Sequence, residues 1–137
     1  MAEVRNFISF KVSGLEKPLF SPKGDMEVPS GRRLSAEIME KLSASGFSVS
    51  SLTQRDYYGW EWTLLVNEFE LSCVLQVLDC PLLIVGPLPG LKKLVFPHAN
   101  RKAEAKAVEV IVKLLGELKG VSNVEVLTKS QYERLQQ

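Results

Sequence analysis

The sequence predicts an α+β protein: a two-layer sandwich in which a mostly antiparallel sheet of five to six strands carries two helices on one face. Three observations predict it. Segments 32–45 and 101–119 place apolar residues at helical spacing. Several short runs alternate polar and apolar residues with the period of a strand. Two helices are also too few to cover both faces of so wide a sheet, so they are expected on one. The 137 residues fit a single α+β domain, 1–137, with 128–137 as a C-terminal extension or short helix.

Taken in order, residues 6–12 alternate Ile8, Phe10 and Val12 against Phe7, Ser9 and Lys11, a strand with one apolar face. Residues 13–31 are rich in Gly and Pro and form a long loop, a kind of segment that is often functional. The first helix, 32–45, carries Leu34, Ile38 and Leu42 on one stripe, with Ser30 as its cap and Gly46 as its stop. Strand 47–53 follows, with Phe47, Val49 and Ser51 on one face. Runs 57–66 and 69–78 are two more strands joined by a tight turn at Asn67-Glu68, and 82–85 is a fifth. The second helix, 101–119, buries Ala103, Ala107, Val108, Ile111, Leu114, Leu115 and Leu118 between an Asn100 cap and a Gly120 stop. Residues 123–128 are the last strand, and Ser130 with Glu133 fit a capping box for a final short helix.

The order β-α-β-β-β-β-α-β is that of a ferredoxin-like variant extended by a hairpin, an analogy of shape that carries no activity.

The stretch QRDYYGWEW at 54–62 holds both tryptophans and two of the three tyrosines. Alternation puts Tyr58, Trp60, Trp62, Leu64 and Val66 on one continuously apolar face, the one that should meet the helices. The tryptophans therefore read as core. Tyr57 is turned the other way, and Gly59 marks a bulge, a shallow surface space or the close approach of a neighbouring backbone.

Composition excludes several classes. Apolar residues make up 45% and charged residues 24%, which excludes a disordered or fibrous chain. Seventeen basic against 16 acidic residues leave a net charge of +1, so no global field directs the protein to nucleic acid or to a membrane surface. The longest charge-free apolar stretch, 80–91, is broken by prolines and glycines and is too short to span a bilayer. Cys73 and Cys80 lie in apolar runs, read as reduced, buried thiols, and point with the leaderless N-terminus to a cytoplasmic protein. One histidine and two cysteines do not make a zinc site, and no cofactor or metal is expected. GPLPGLKK at 86–93 lacks the hydroxyl and the N–H donors of a phosphate loop.

Topology locates the site to look at. If strand 6–12, helix 32–45 and strand 47–53 form a β-α-β unit, both strands end beside the helix N-terminus. Loop 13–31 and segment 54–58 then converge there, with Lys23, Arg32, Arg33, Arg55, Asp56 and Tyr57 as the ligand-binding residues and Asp25 nearby. Unpaired amides at a helix start favour an anion. His98 falls at the opposite end of the sheet and has no catalytic partner there.

No catalytic constellation is visible. The first reading is a non-enzymatic interaction module working through protein-protein contacts, either with a protein partner or by self-association. Its surface would be the sheet face away from the helices, where Leu65, Val74 and Leu78 fall. The alternative is a small-molecule or anion-binding protein, enzymes included, with its site at the 13–33 and 54–58 end.

Overall fold

The computed structural model describes residues 5–56, 58–77, 80–88 and 94–135. Strands are β1 (Arg5–Val12), β2 (Leu19–Phe20), β3 (Met26–Val28), β4 (Ser48–Val49), β5 (Thr53–Arg55), β6 (Gly59–Val66), β7 (Phe69–Gln76), β8 (Leu82–Pro87) and β9 (Val121–Thr128). Helices are α1 (Arg32–Ala44), α2 (Pro97–Glu117) and α3 (Lys129–Leu135). Seven strands form one antiparallel sheet in the order β4-β6-β7-β8-β1-β9, with β5 beside β4 on the same edge of β6. The β2–β3 pair stands apart from it.

The mixed α+β class of the sequence reading is therefore present, and so are both long helices on one face. Ile38 and Leu42 of α1 and Ala107, Ile111 and Leu115 of α2 are fully buried with Ile8, Trp62, Leu71, Leu75 and Leu83 of the sheet. Trp60, Trp62, Leu64 and Val66 all point into this layer, as alternation required. Tyr58 does not join them: it precedes β6, is half-buried, and accepts a hydrogen bond from Arg55 instead. The turn between β6 and β7 is tight, with positive φ at both Asn67 and Glu68, the geometry that matches strand twist.

The helix count is the main correction. A third helix, α3, packs on the opposite face, where the Tyr132 ring lies 5.4 Å from that of Phe7. Its start is fixed two residues earlier than Ser130 and Glu133 implied. Gln131 N–H donates to Thr128 Oγ1 at 3.1 Å, and Thr128 N–H donates to Gln131 Oε1 at 2.8 Å, a reciprocal capping box.

Other boundaries moved for local reasons. Helix α2 begins at Pro97, whose missing N–H costs nothing at a first helical position, so Asn100 is a buried first-turn residue and not a cap. Strand 47–53 is split into β4 and β5 around residues 50–52, and the fifth strand runs on to Pro87. Helix α1 starts behind Gly31, not behind a Ser30 side chain, and stops before Gly46 with φ +94°. Cys73 is buried, which pushes its thiol up to about 12, whereas Cys80 is exposed, against the expectation of two buried thiols.

Four antiparallel steps separate β1 from β4, so the two run in the same direction with β6, β7 and β8 between them. Their C-terminal ends lie at one end of the sheet, called the upper end below. Helix α1 starts there, and α2, which follows the downward strand β8, starts at the lower end with His98 exposed in its first turn.

Candidate functional site

Loop 13–31 is an ordered arm at the upper end. Its tip turns through Ser21–Asp25: Ser21 N–H donates to Asp25 O at 2.7 Å, Gly24 N–H to Ser21 O at 2.9 Å, and Asp25 N–H to Ser21 Oγ at 3.1 Å. The turn is flanked by the β2–β3 ladder, which pairs Leu19 with Val28 and Phe20 with Met26.

Polar side chains tie the arm down. Gln54 Nε2 donates to Glu27 O at 2.6 Å and to Asp56 O at 2.6 Å. Trp60 Nε1 donates to Ser30 O at 3.0 Å. Glu16 accepts from Gly31 N–H and, at 3.1 Å, from Arg33 N–H. A carboxylate from within the arm thus takes up two of the amides at the helix start, those of Gly31 and Arg33.

The basic residues are dispersed around this capping point. Arg32 stacks over the Trp60 ring at 5.9 Å. The Arg33 side chain is 85% exposed and its Nε reaches only to 4.0 Å from Glu16. Arg55 donates from Nε to the Tyr58 hydroxyl at 3.0 Å and from Nη1 to Glu61 Oε2 at 2.8 Å. The hydrogen bond to Tyr58, then the Glu61 charge, raise its pKa above the ordinary arginine value. Lys23 is exposed at the arm tip, Asp25 closes the turn, and Asp56 is exposed in a left-handed conformation, φ 47°. Tyr57 lies outside the described residues. The structure brings loop 13–31 and segment 54–58 together, while its arginines point to separate neighbours.

Sequence reasoning missed Glu16, the one acidic residue in the first half of the arm, because its partners are 15 and 17 positions away. The exposed pair Leu19 and Phe20 was also missed. Its signal was present in the two apolar residues between Pro18 and Pro22, but no helical or strand period surrounds them.

The sheet face away from α1 and α2 is partly occupied. Phe7 lies under Tyr132 of α3, Val74 and Ile84 are half-buried, and Leu65 is 41% exposed at the far side. Leu78 lies outside the described residues. Among the described residues no group of three or more His, Cys, Asp or Glu is arranged to hold a metal ion, and no helix is long and apolar enough to cross a membrane.

Glu16→Ala is expected to cost about 1–2 kcal/mol, the usual loss when a helix start is stripped of its acceptor. Urea unfolding measures the loss, and faster hydrogen exchange at the Gly31 and Arg33 amides localises it. Unchanged exchange at both amides would show that Glu16 does not cap α1 in solution.

The chain matches no protein-family model, no curated protein and no solved structure.

Proposed function

We propose that the protein is a non-enzymatic interaction module whose contact element is the 13–31 arm, displayed to a protein partner that offers an apolar recess. One observation carries this reading. The arm is held by polar bonds at Glu16, Gln54 and Trp60 and by Leu15 packed against the core, yet Leu19 and Phe20 remain 61% and 56% exposed. Burial normally drives the ordering of apolar residues. Here order is secured by other groups, so Leu19 and Phe20 are free to lose their water to a partner, with little ordering entropy left to overcome. An exposed aromatic beside an aliphatic on a pre-ordered turn fits the anchor of a protein contact.

The rest of the reading is coarser. The strand order, with β1 between β8 and β9 and a β6–β7 hairpin beyond, supports a ferredoxin-like sheet widened by a hairpin. The free thiols of Cys73 and Cys80 support a reducing, cytoplasmic setting.

The test is a double substitution, Leu19→Ser with Phe20→Ser. Stability should change by less than about 0.5 kcal/mol, as for surface positions generally. A protein captured by the wild-type chain and sized by cross-linking should be lost with this variant and kept with Arg33→Glu. Loss with Arg33→Glu alone, together with thermal stabilisation by phosphate or carboxylic acids, would instead favour the small-anion reading of the same end. A stability loss of ~2 kcal/mol or more in the serine variant would make the arm a structural element and remove the proposal.

A further inference from the structure

Strand β9 closes the sheet opposite β4 and β5. It bonds to β1 on one side and, among the described residues, has no strand on the other. The β4/β5 edge is interrupted at residues 50–52, which blunts it against pairing. Strand β9 is eight residues long; a bulge at Asn123, φ 53°, bends its upper part, and the run 124–128 below it is extended.

Beside that run, on the helix face, is a groove of about 520 Å³. Ala105, Val108 and Val112 of α2 and Val126 of β9 line it, together with the charged residues Arg5 of β1 and Arg101 and Glu109 of α2. It arises because α2 lies across β8, β1 and β9 and, among the described residues, no helix beyond it fills the flank over β9.

We propose that the occupant is a second copy of this chain, joined edge to edge through β9 about a two-fold axis at Val126, so that two sheets become one. Register favours that axis over the one before it. Antiparallel pairing about Val126 sets Val126 against Val126 of the partner subunit and Glu125 against Leu127 of the partner subunit. An axis one residue earlier would instead oppose two Glu125 carboxylates, which is destabilising.

Charge selects the same arrangement. Arg101, Ala105 and Glu109 are spaced four apart on one stripe of α2, and Ala105 shares the groove with Val126. A two-fold near Ala105 therefore brings Arg101 of each copy toward Glu109 of the partner subunit, giving two equivalent pairs. Such self-complementarity is what an isologous interface requires. The two α2 helices lie about three strand spacings apart, ~14 Å. That is wider than the 8–10 Å of directly packed helices, so the long Arg101 and Glu109 side chains are what span it. This contact is independent of whatever the arm binds.

Sedimentation velocity on the full chain tests it. The wild type should dimerise with rising concentration, and amide exchange over 124–128 should slow in step. Arg101→Glu or Glu109→Arg alone should weaken the dimer roughly tenfold, because two attractive contacts become repulsive. The double exchange, Arg101→Glu with Glu109→Arg, should restore it. Circular dichroism and melting of each variant separate loss of the dimer from loss of the fold. A strictly monomeric wild type overturns the proposal. So does a dimer indifferent to the single reversals, exchange at 124–128 that ignores concentration, or a folded double variant that stays monomeric.

Discussion

Trp62→Ala is expected to remove about 3–5 kcal/mol of stability, the usual loss for deleting a buried large aromatic. The side chain is 1% exposed, pairs across the ladder with Cys73, and shares the buried cluster with Ile38 and Leu42 of α1. A domain commonly has only ~5–15 kcal/mol in total, so the variant should be marginal at room temperature. Its indole N–H, buried without a hydrogen-bond partner among the described residues, adds a second expectation. Trp62→Phe removes that unpaired donor while keeping most of the apolar burial, so its loss should be distinctly smaller than that of alanine. Urea unfolding with an unchanged m-value measures both. If Trp62→Ala costs under ~1 kcal/mol, the β6 side chains face the other way. The tryptophans would then be a surface platform.

The tryptophan assignment was legible because β6 alternates without interruption from Trp60 to Val66, and burial follows alternation directly. The same logic made the buried stripes of α1 and α2 readable, since each is a local period repeated over several turns. Direction was legible too. Counting strand reversals placed the arm, segment 54–58 and the start of α1 at one end, and the Gln54–Glu27 and Trp60–Ser30 bonds join them there. What could not be read is what distance in sequence conceals. Glu16 reaches the amides of Gly31 and Arg33 across the whole arm, and nothing in its neighbours announces it. Tyr132 finds Phe7 on the open face, so α3 occupies a surface that the count of two long helices had left bare. Arg55 looked available for a ligand because Glu61, its partner, lies on the next strand at a register only the ladder reveals.

Gly59→Ala is the second large effect expected, and it separates the three readings of this glycine. A Cβ built there would lie 2.0 Å from Leu75 O and 3.0 Å from Leu75 C, both backbone atoms of β7. The conflict is steric and not a matter of φ, since Gly59 is not among the positive-φ residues. Neither strand can move aside cheaply. Gly59 and Trp60 pair with Gln76 and Leu75, and Val77 N–H donates to Tyr58 O at 3.1 Å just beyond. Relief requires opening the end of this ladder, which also displaces Trp60, its bond to Ser30 and the anchorage of the arm. A loss of at least ~3 kcal/mol is expected, at the upper end of overpacking because the obstacle is main chain and not a flexible side chain. Exchange should quicken at the Tyr58–Val77 end of the β6–β7 hairpin and across 13–31, while its Asn67–Glu68 end stays protected. Had Gly59 marked an open surface hollow for a ligand, the alanine variant would fold with wild-type stability and lose only binding. Wild-type urea unfolding of Gly59→Ala would therefore restore the hollow, and with it the small-ligand reading of the upper end. A loss of several kcal/mol assigns the glycine to the close approach of two strands.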